Sequence, residues 1–177
     1  MKKSVLCAFL GLSLALGASL VADDLKVKVS VQTFTAPAKW KSVKTASRMR
    51  AAQFSITGKE GQESAECVFF YFGPGEGGGA KANLQRWAGQ FSNEPKPVIK
   101  VEEAKAGGVS LVYMFGSGTF MSGPPFGGAK VPKKDYAMAA VVVGTKPGYI
   151  FVKMTGPREI VEKARADFKK TIESGLK

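Results

Sequence analysis

Histidine is absent from all 177 residues. That removes the Ser-His and Cys-His nucleophile pairs and any imidazole–zinc centre. Cysteine is nearly as scarce, with only Cys7 and Cys67. Cys7 lies in an apolar leader, so removing that leader would leave one thiol, which cannot form an internal disulfide. Cys67 sits within Cys67-Val68-Phe69-Phe70-Tyr71-Phe72, with no base beside it to lower its pKa, and reads as a buried, inert thiol. No G-x-S-x-G elbow occurs, and Glu60, Glu63 and Glu66 lack calcium-loop spacing. Adjacent Glu102 and Glu103 point to opposite faces of their strand and cannot work jointly as acid and base. Chemistry would fall to Lys, Tyr, Ser and carboxylates alone. The expectation is a protein that is not an enzyme and takes no metal or cofactor.

The start of the chain has the pattern of an export signal, residues 1–22. Lys2 and Lys3 precede an apolar centre from Val5 to Leu16, and the next charges are Asp23 and Asp24. Cleavage before Asp23 leaves Ala22 at the exit position; Gly17-Ala18-Ser19 offers an alternative. The 18 uncharged residues Val5–Ala22 can just span a bilayer, but Gly11, Ser13, Gly17 and Ser19 dilute them and no basic stop-transfer flank follows. Cleavage is therefore expected, leaving an exported chain, periplasmic or secreted, with no transmembrane helix and one domain over 23–177.

Charge is unevenly spread. The formal charge of +12 falls to +10 once Lys2 and Lys3 leave with the leader. Residues 25–59 hold eight Lys or Arg and no acid. A basic exported surface is drawn to anionic headgroups, polysaccharides or acidic proteins. Within it, Lys39, Lys41, Lys44, Arg48 and Arg50 surround Trp40 and make a candidate polyanion-binding run. Exposed aromatics are too few for a nucleic-acid reader, so no nucleic acid is expected as partner.

Periodicity supplies the architecture. Leu25 to Val31 alternates apolar and polar as a half-buried strand does. A turn is expected over Phe34–Trp40, strands over 48–56 and 65–72, and a helix over 80–91 with Leu84, Trp87, Ala88 and Phe91 on one stripe. Pro95 and Pro97 stop that helix. Strands follow at 98–102 and 108–115, then a Gly/Pro-rich loop over 116–135, then a hairpin of 136–143 and 149–154. Gly156 as cap, Pro157 at the first helical position and Glu159 in the first turn start a last helix, which Gly175 ends. The fold class is α+β: one twisted, mainly antiparallel sheet of about seven strands with a helix on each face.

Between strand and first helix lies Gly73-Pro74-Gly75-Glu76-Gly77-Gly78-Gly79. Gly73-x-Gly75-x-x-Gly78 has the letters of the dinucleotide fingerprint. The strands around it do not alternate with helices, and Pro74 removes a donor amide, so that reading fails. A Walker loop fails too, since Ala80 and Ala82 replace its glycine and hydroxyl residue. The free amides of the helix start with Lys81 can hold an anion, or the loop is only a joint. Asn83, Arg86 and Gln90 line the polar side of the helix and can bind a ligand or fix the loop. Gly75, Gly77, Gly78, Lys81, Asn83, Arg86 and Gln90 are the candidate ligand- or partner-binding residues.

Several segments resemble a family of uncharacterised exported bacterial proteins. They are Ala36-Pro37-Ala38-Lys39-Trp40, Ser47-Arg48-Met49-Arg50-x-Ala52-Gln53-Phe54, Phe69-Phe70-Tyr71-Phe72-Gly73, Asn83-x-x-Arg86-Trp87-x-x-Gln90-Phe91 and Phe151-x-Lys153-x-Thr155-Gly156-Pro157. That resemblance covers most of the mature chain and implies no established activity. More distantly, the order of elements is similar to the PsbP-like α/β/α sandwich, whose members are mostly non-enzymatic binding or assembly proteins. The expected function is an exported, non-catalytic binding or accessory protein of the cell envelope, meeting an envelope protein or an anionic surface. A polyanion- or membrane-surface binder acting through residues 39–50 is the first alternative, and a histidine-free hydrolase the second.

Overall fold

The structure is a computed structural model that describes residues 24–45, 47–124 and 127–176. The expected signal segment, 1–22, lies outside them. The first strand, β1 (Leu25–Val29), stops two residues sooner than its alternation suggests, because Ser30 turns the chain with φ 55°. β2 (Gln32–Ala36) then returns antiparallel to β1, with Val27 opposite Phe34. The expected turn at 34–40 therefore begins as a strand that buries Phe34 and Ala36, and only Pro37 ends it. A tight turn follows in which the Trp40 N–H donates to the Pro37 carbonyl at 2.9 Å, placing the indole in the core.

The main sheet contains β3 (Lys41–Ser42), β4 (Arg50–Ile56), β5 (Ala65–Tyr71), β6 (Val98–Ala106), β7 (Val109–Ser122), β8 (Val131–Thr145) and β9 (Gly148–Pro157). Their order is β3-β4-β5-β9-β8-β7-β6, antiparallel throughout. Seven strands were expected, but two-residue β3 takes the place of β1, which pairs only with β2. The expected 116–135 loop is largely strand. β7 runs on to Ser122 and β8 starts at Val131. Glycine there gives room rather than a turn: a Cβ on Gly116 would stand 2.9 Å from both Ile99 and Phe91.

Two helices lie on opposite faces of this sheet. α1 (Ala80–Ala88) ends three residues short of the expected 91, with Gly89 as its C-cap. Backbone pairing to β7 competes for the next residues. The Met121 N–H donates to the Gln90 carbonyl and the Ser92 N–H to the Thr119 carbonyl, both at 2.8 Å. α2 (Arg158–Ser174) keeps Glu159 in its first turn, and Gly175 ends it. Pro157 is its N-cap instead of its first residue, and Gly156 remains inside β9.

Two cores of unequal size result. Phe34, Trp40, Phe54, Phe69, Val141, Val152, Ile160 and Phe168 belong to the larger, closed by α2 and the β1–β2 hairpin. Cys67 is fully buried in it, and burial pushes its thiol pKa up. At the β6 edge α2 is fastened by Glu102, which accepts from Arg165 at 3.1 Å and Lys169 at 2.8 Å. Hydrogen bonds from Lys169 and Lys100 hold that carboxyl down at about 2. The smaller core packs Trp87, Phe91, Met114, Phe120, Met138 and Phe151 under α1. Nine residues of helix cannot cover seven strands, and Gln53, Glu66, Phe70, Lys153 and Thr155 on that face stay only half-buried.

Candidate functional site: the polar cluster beside α1

The alternation of β9 sets Tyr149, Phe151, Lys153 and Thr155 on the α1 face while Ile150, Val152 and Met154 enter the larger core. Register then fixes their neighbours. Lys153 lies opposite Val68, which lies opposite Gln53; Thr155 lies opposite Glu66, which lies opposite Ser55. Lys153 donates to the Gln90 side-chain oxygen at 3.1 Å, tying β9 to the chain just after α1. Arg50 ion-pairs with Glu66 and donates to the Gln53 oxygen at 2.8 Å. Arg86, on α1, donates to the Asn83 side-chain oxygen.

Glu66 is thus ion-paired with Arg50, while Lys153 and Arg86 hydrogen-bond to neutral amide oxygens. Burial lowers the Lys153 ammonium to about 8; Glu66 opposes that change, and Arg50 and Arg86 reinforce it. The Thr155 hydroxyl is buried beside this lysine with no hydrogen-bond partner among the described residues.

The glycine loop is held from below. Asn83, 1 % exposed, donates to the carbonyls of Gly77 at 2.9 Å and Gly79 at 3.0 Å. Gly77 has φ 82°, and a Cβ there would meet Phe151 at 2.6 Å and Phe72 at 2.7 Å. Gly77→Ala is therefore expected to lower the unfolding free energy by about 1–3 kcal/mol, through overpacking and an unfavourable backbone angle. Urea unfolding followed by tryptophan fluorescence measures it.

Of the residues expected to bind, Asn83 and Gly77 fix the loop, Gly75 and Gly78 lie on its outer side, and Lys81 and Arg86 are exposed. Gln90 lies beyond the helix and meets Lys153. The five-cation run does not form one patch. Lys39 binds Asp167 at 2.6 Å and Arg50 turns to Glu66 on the α1 face, while Lys41, Lys44 and Arg48 remain exposed. Sequence reasoning missed the part of Lys153, Glu66 and Thr155. The available signal was a lysine at an inward-alternating position between Phe151 and Thr155. A cavity of about 340 Å³ lies elsewhere, on the α2 face, lined by Trp40, Ile56, Lys59, Ile160 and Lys163. Lys59 there pairs with Glu159 at 3.6 Å, and the Trp40 indole N–H is buried without a partner among the described residues, whereas the cluster beside α1 brings cations from separate elements together.

Among the described residues no helix is long and apolar enough to cross a membrane. No protein-family model matches the chain, and no curated protein does. Among solved structures it is similar to cyanobacterial PsbP (CyanoP) from Synechocystis, at 13 % identity and a TM-score of 0.54, covering 93 % of this chain and 96 % of that one. A Pseudomonas aeruginosa protein of unknown function aligns at 11 % identity and a TM-score of 0.45, over 86 % and 95 % of the two chains. The first likeness, at that identity, speaks for architecture alone: the chain has the PsbP-like fold.

Proposed function

We propose that the protein is an exported, non-catalytic binding or accessory protein of the cell envelope, and that its partner meets the α1 face. The observation that carries this reading is the incomplete cover of that face. Phe72 and Tyr149, each 39 % exposed, flank the glycine loop, and the Arg86–Lys153 cluster lies beside them. Aromatic side chains and arginine are the residues that most often anchor protein contacts. The basic leader with its apolar centre supports export, and the absence of histidine supports a role without catalysis.

The test uses the mature chain as bait in envelope extract, beside a Lys81→Glu/Arg86→Glu variant. Both substitutions fall on exposed α1 positions; Arg86→Glu also removes the donor to the Asn83 side-chain oxygen, so the variant's urea midpoint is compared with the parent's before the extract is used. Partners retained by the unaltered chain are expected to be lost by the variant. An identical set of retained proteins would overturn the assignment of this face. Export is checked separately by N-terminal sequencing of envelope material, expected to begin at Asp23.

A further inference from the structure

We propose that the cluster formed by Lys153, Arg50, Arg86, Gln90 and Thr155 binds a compact oxyanion, a carboxylate or phosphate group carried by the protein's ligand. The inference rests on the reading that the α1 face is the binding face, and it names the chemistry recognised there.

Three observations lead to it independently. The first is charge. Arg50, Arg86 and Lys153 bring three positive charges to one end of the sheet, and Glu66 returns only one. Glu66 is engaged by Arg50, so Lys153 has a neutral amide oxygen as its hydrogen-bond partner. An ammonium group has three donors and gains most from an anionic acceptor. The second is the Thr155 hydroxyl, buried without a partner among the described residues, two residues from Lys153 on the same face of β9. Buried hydroxyls are ordinarily satisfied, and an oxyanion beside Lys153 supplies an acceptor. The third is the origin of the groups. They come from β4, α1, the segment after α1, and β9, each held by the fold itself: β9 by pairing on both edges, α1 by the Asn83 anchor. Donors fixed on rigid elements lose little freedom when a ligand arrives.

An anion in this position favours the charged form of Lys153, so proton and anion binding are linked. The titratable groups that face the lysine are Glu66 on β5, Arg50 on β4 and Arg86 on α1; on β8, burial and nearby Glu63 push the Tyr136 phenol up, and Lys133 donates to Glu63 at 3.2 Å. Lys153 changes charge between pH 7 and 9, its ammonium lying at about 8, while the Tyr136 phenol lies at about 12.

Inorganic phosphate and acetate are the probes. Each is titrated into the mature chain at constant ionic strength, with binding read from the NMR shifts of the Gln90 and Thr155 amides. Saturable shifts with one or both probes are expected, the preferred probe distinguishing phosphate from carboxylate. Affinity should fall at least tenfold in Lys153→Gln and stay within a few-fold in Lys153→Arg. It should also weaken several-fold between pH 7 and 9 in the unaltered chain and not in Lys153→Arg. No saturation with either probe, or saturation that Lys153→Gln leaves unchanged, would overturn the proposal. Envelope partners that depend on Arg86 would in that case still stand, so a failure of the anion site is separable from a failure of the face.

Discussion

Lys153→Met raises the unfolding free energy at pH 7, by on the order of 2–3 kcal/mol. The unfolded chain holds this amino group with an ordinary lysine pKa of 10.5, whereas the folded chain lowers it to about 8. A lysine whose folded pKa is depressed penalises the native state, because folding disfavours its charged form. Below pH 8 the penalty is fully present. Between about 8 and 10.5 the unfolded chain binds more protons than the folded one, so stability rises with pH across that window. Methionine has a similar length, fits a half-buried strand position and carries no charge to desolvate. Arg50 still neutralises Glu66 in the variant. The difference in stability between the two proteins, from urea unfolding at pH 7, 8, 9 and 10, is expected to shrink steadily. A variant less stable than the parent at pH 7, or a constant difference across that range, would refute the account. Native proteins tolerate such a locally unfavourable group where function requires it.

Phe168→Ala is expected to act in the opposite direction, lowering stability by about 3–5 kcal/mol. Phe168 is fully buried in the middle of α2 and meets Tyr113 edge-on, with ring centroids 6.5 Å apart. It belongs to the same cluster as Phe34, so its loss loosens the seal between α2, the sheet and the β1–β2 hairpin. The cavity forms where neighbours on three sides are held by paired backbone and cannot collapse into it. A chain of this size should lose roughly 10 °C in Tm. Urea unfolding should show a lower midpoint with the slope unchanged. A loss below 1 kcal/mol would mean that α2 is not sealed as described.

Much of this architecture was legible in the residues because burial imposes period. Val27 and Val29 announce a strand, and Ile160, Val161, Ala164, Phe168 and Ile172 announce α2, since each must direct one stripe into a core. The departures have physical causes too. Ser30 turns the chain without glycine or proline, so nothing in the sequence separates β1 from β2. Gly116 and Gly118 look like loop punctuation, yet β7 needs them to let Phe91 and Pro97 approach its backbone. The polar cluster was legible only in fragments. Arg86 and Gln90 stand out beside the apolar stripe, but the partner of Gln90 is 63 residues away, a distance local patterning does not reach. Arg50 looked like one more cation of a basic run; the bulge between Arg50 and Ala52 and the pairing with β5 bring it to Glu66.

The order of strands also bears on how the chain reaches this state. β5 borders β9, so the first half of the sheet joins the rest only through its last strand, and the Thr35 amide finds the Ser174 hydroxyl at 2.8 Å across 139 residues. Contacts so remote in sequence form late and slowly. Until the final thirty or so residues have emerged from a ribosome or translocase, β3–β4–β5 is a short ribbon with an open hydrogen-bonding edge at Phe69 and Phe70, a surface that invites pairing with other chains. A polypeptide of this design benefits from being kept extended by a holding chaperone until its last helix is free.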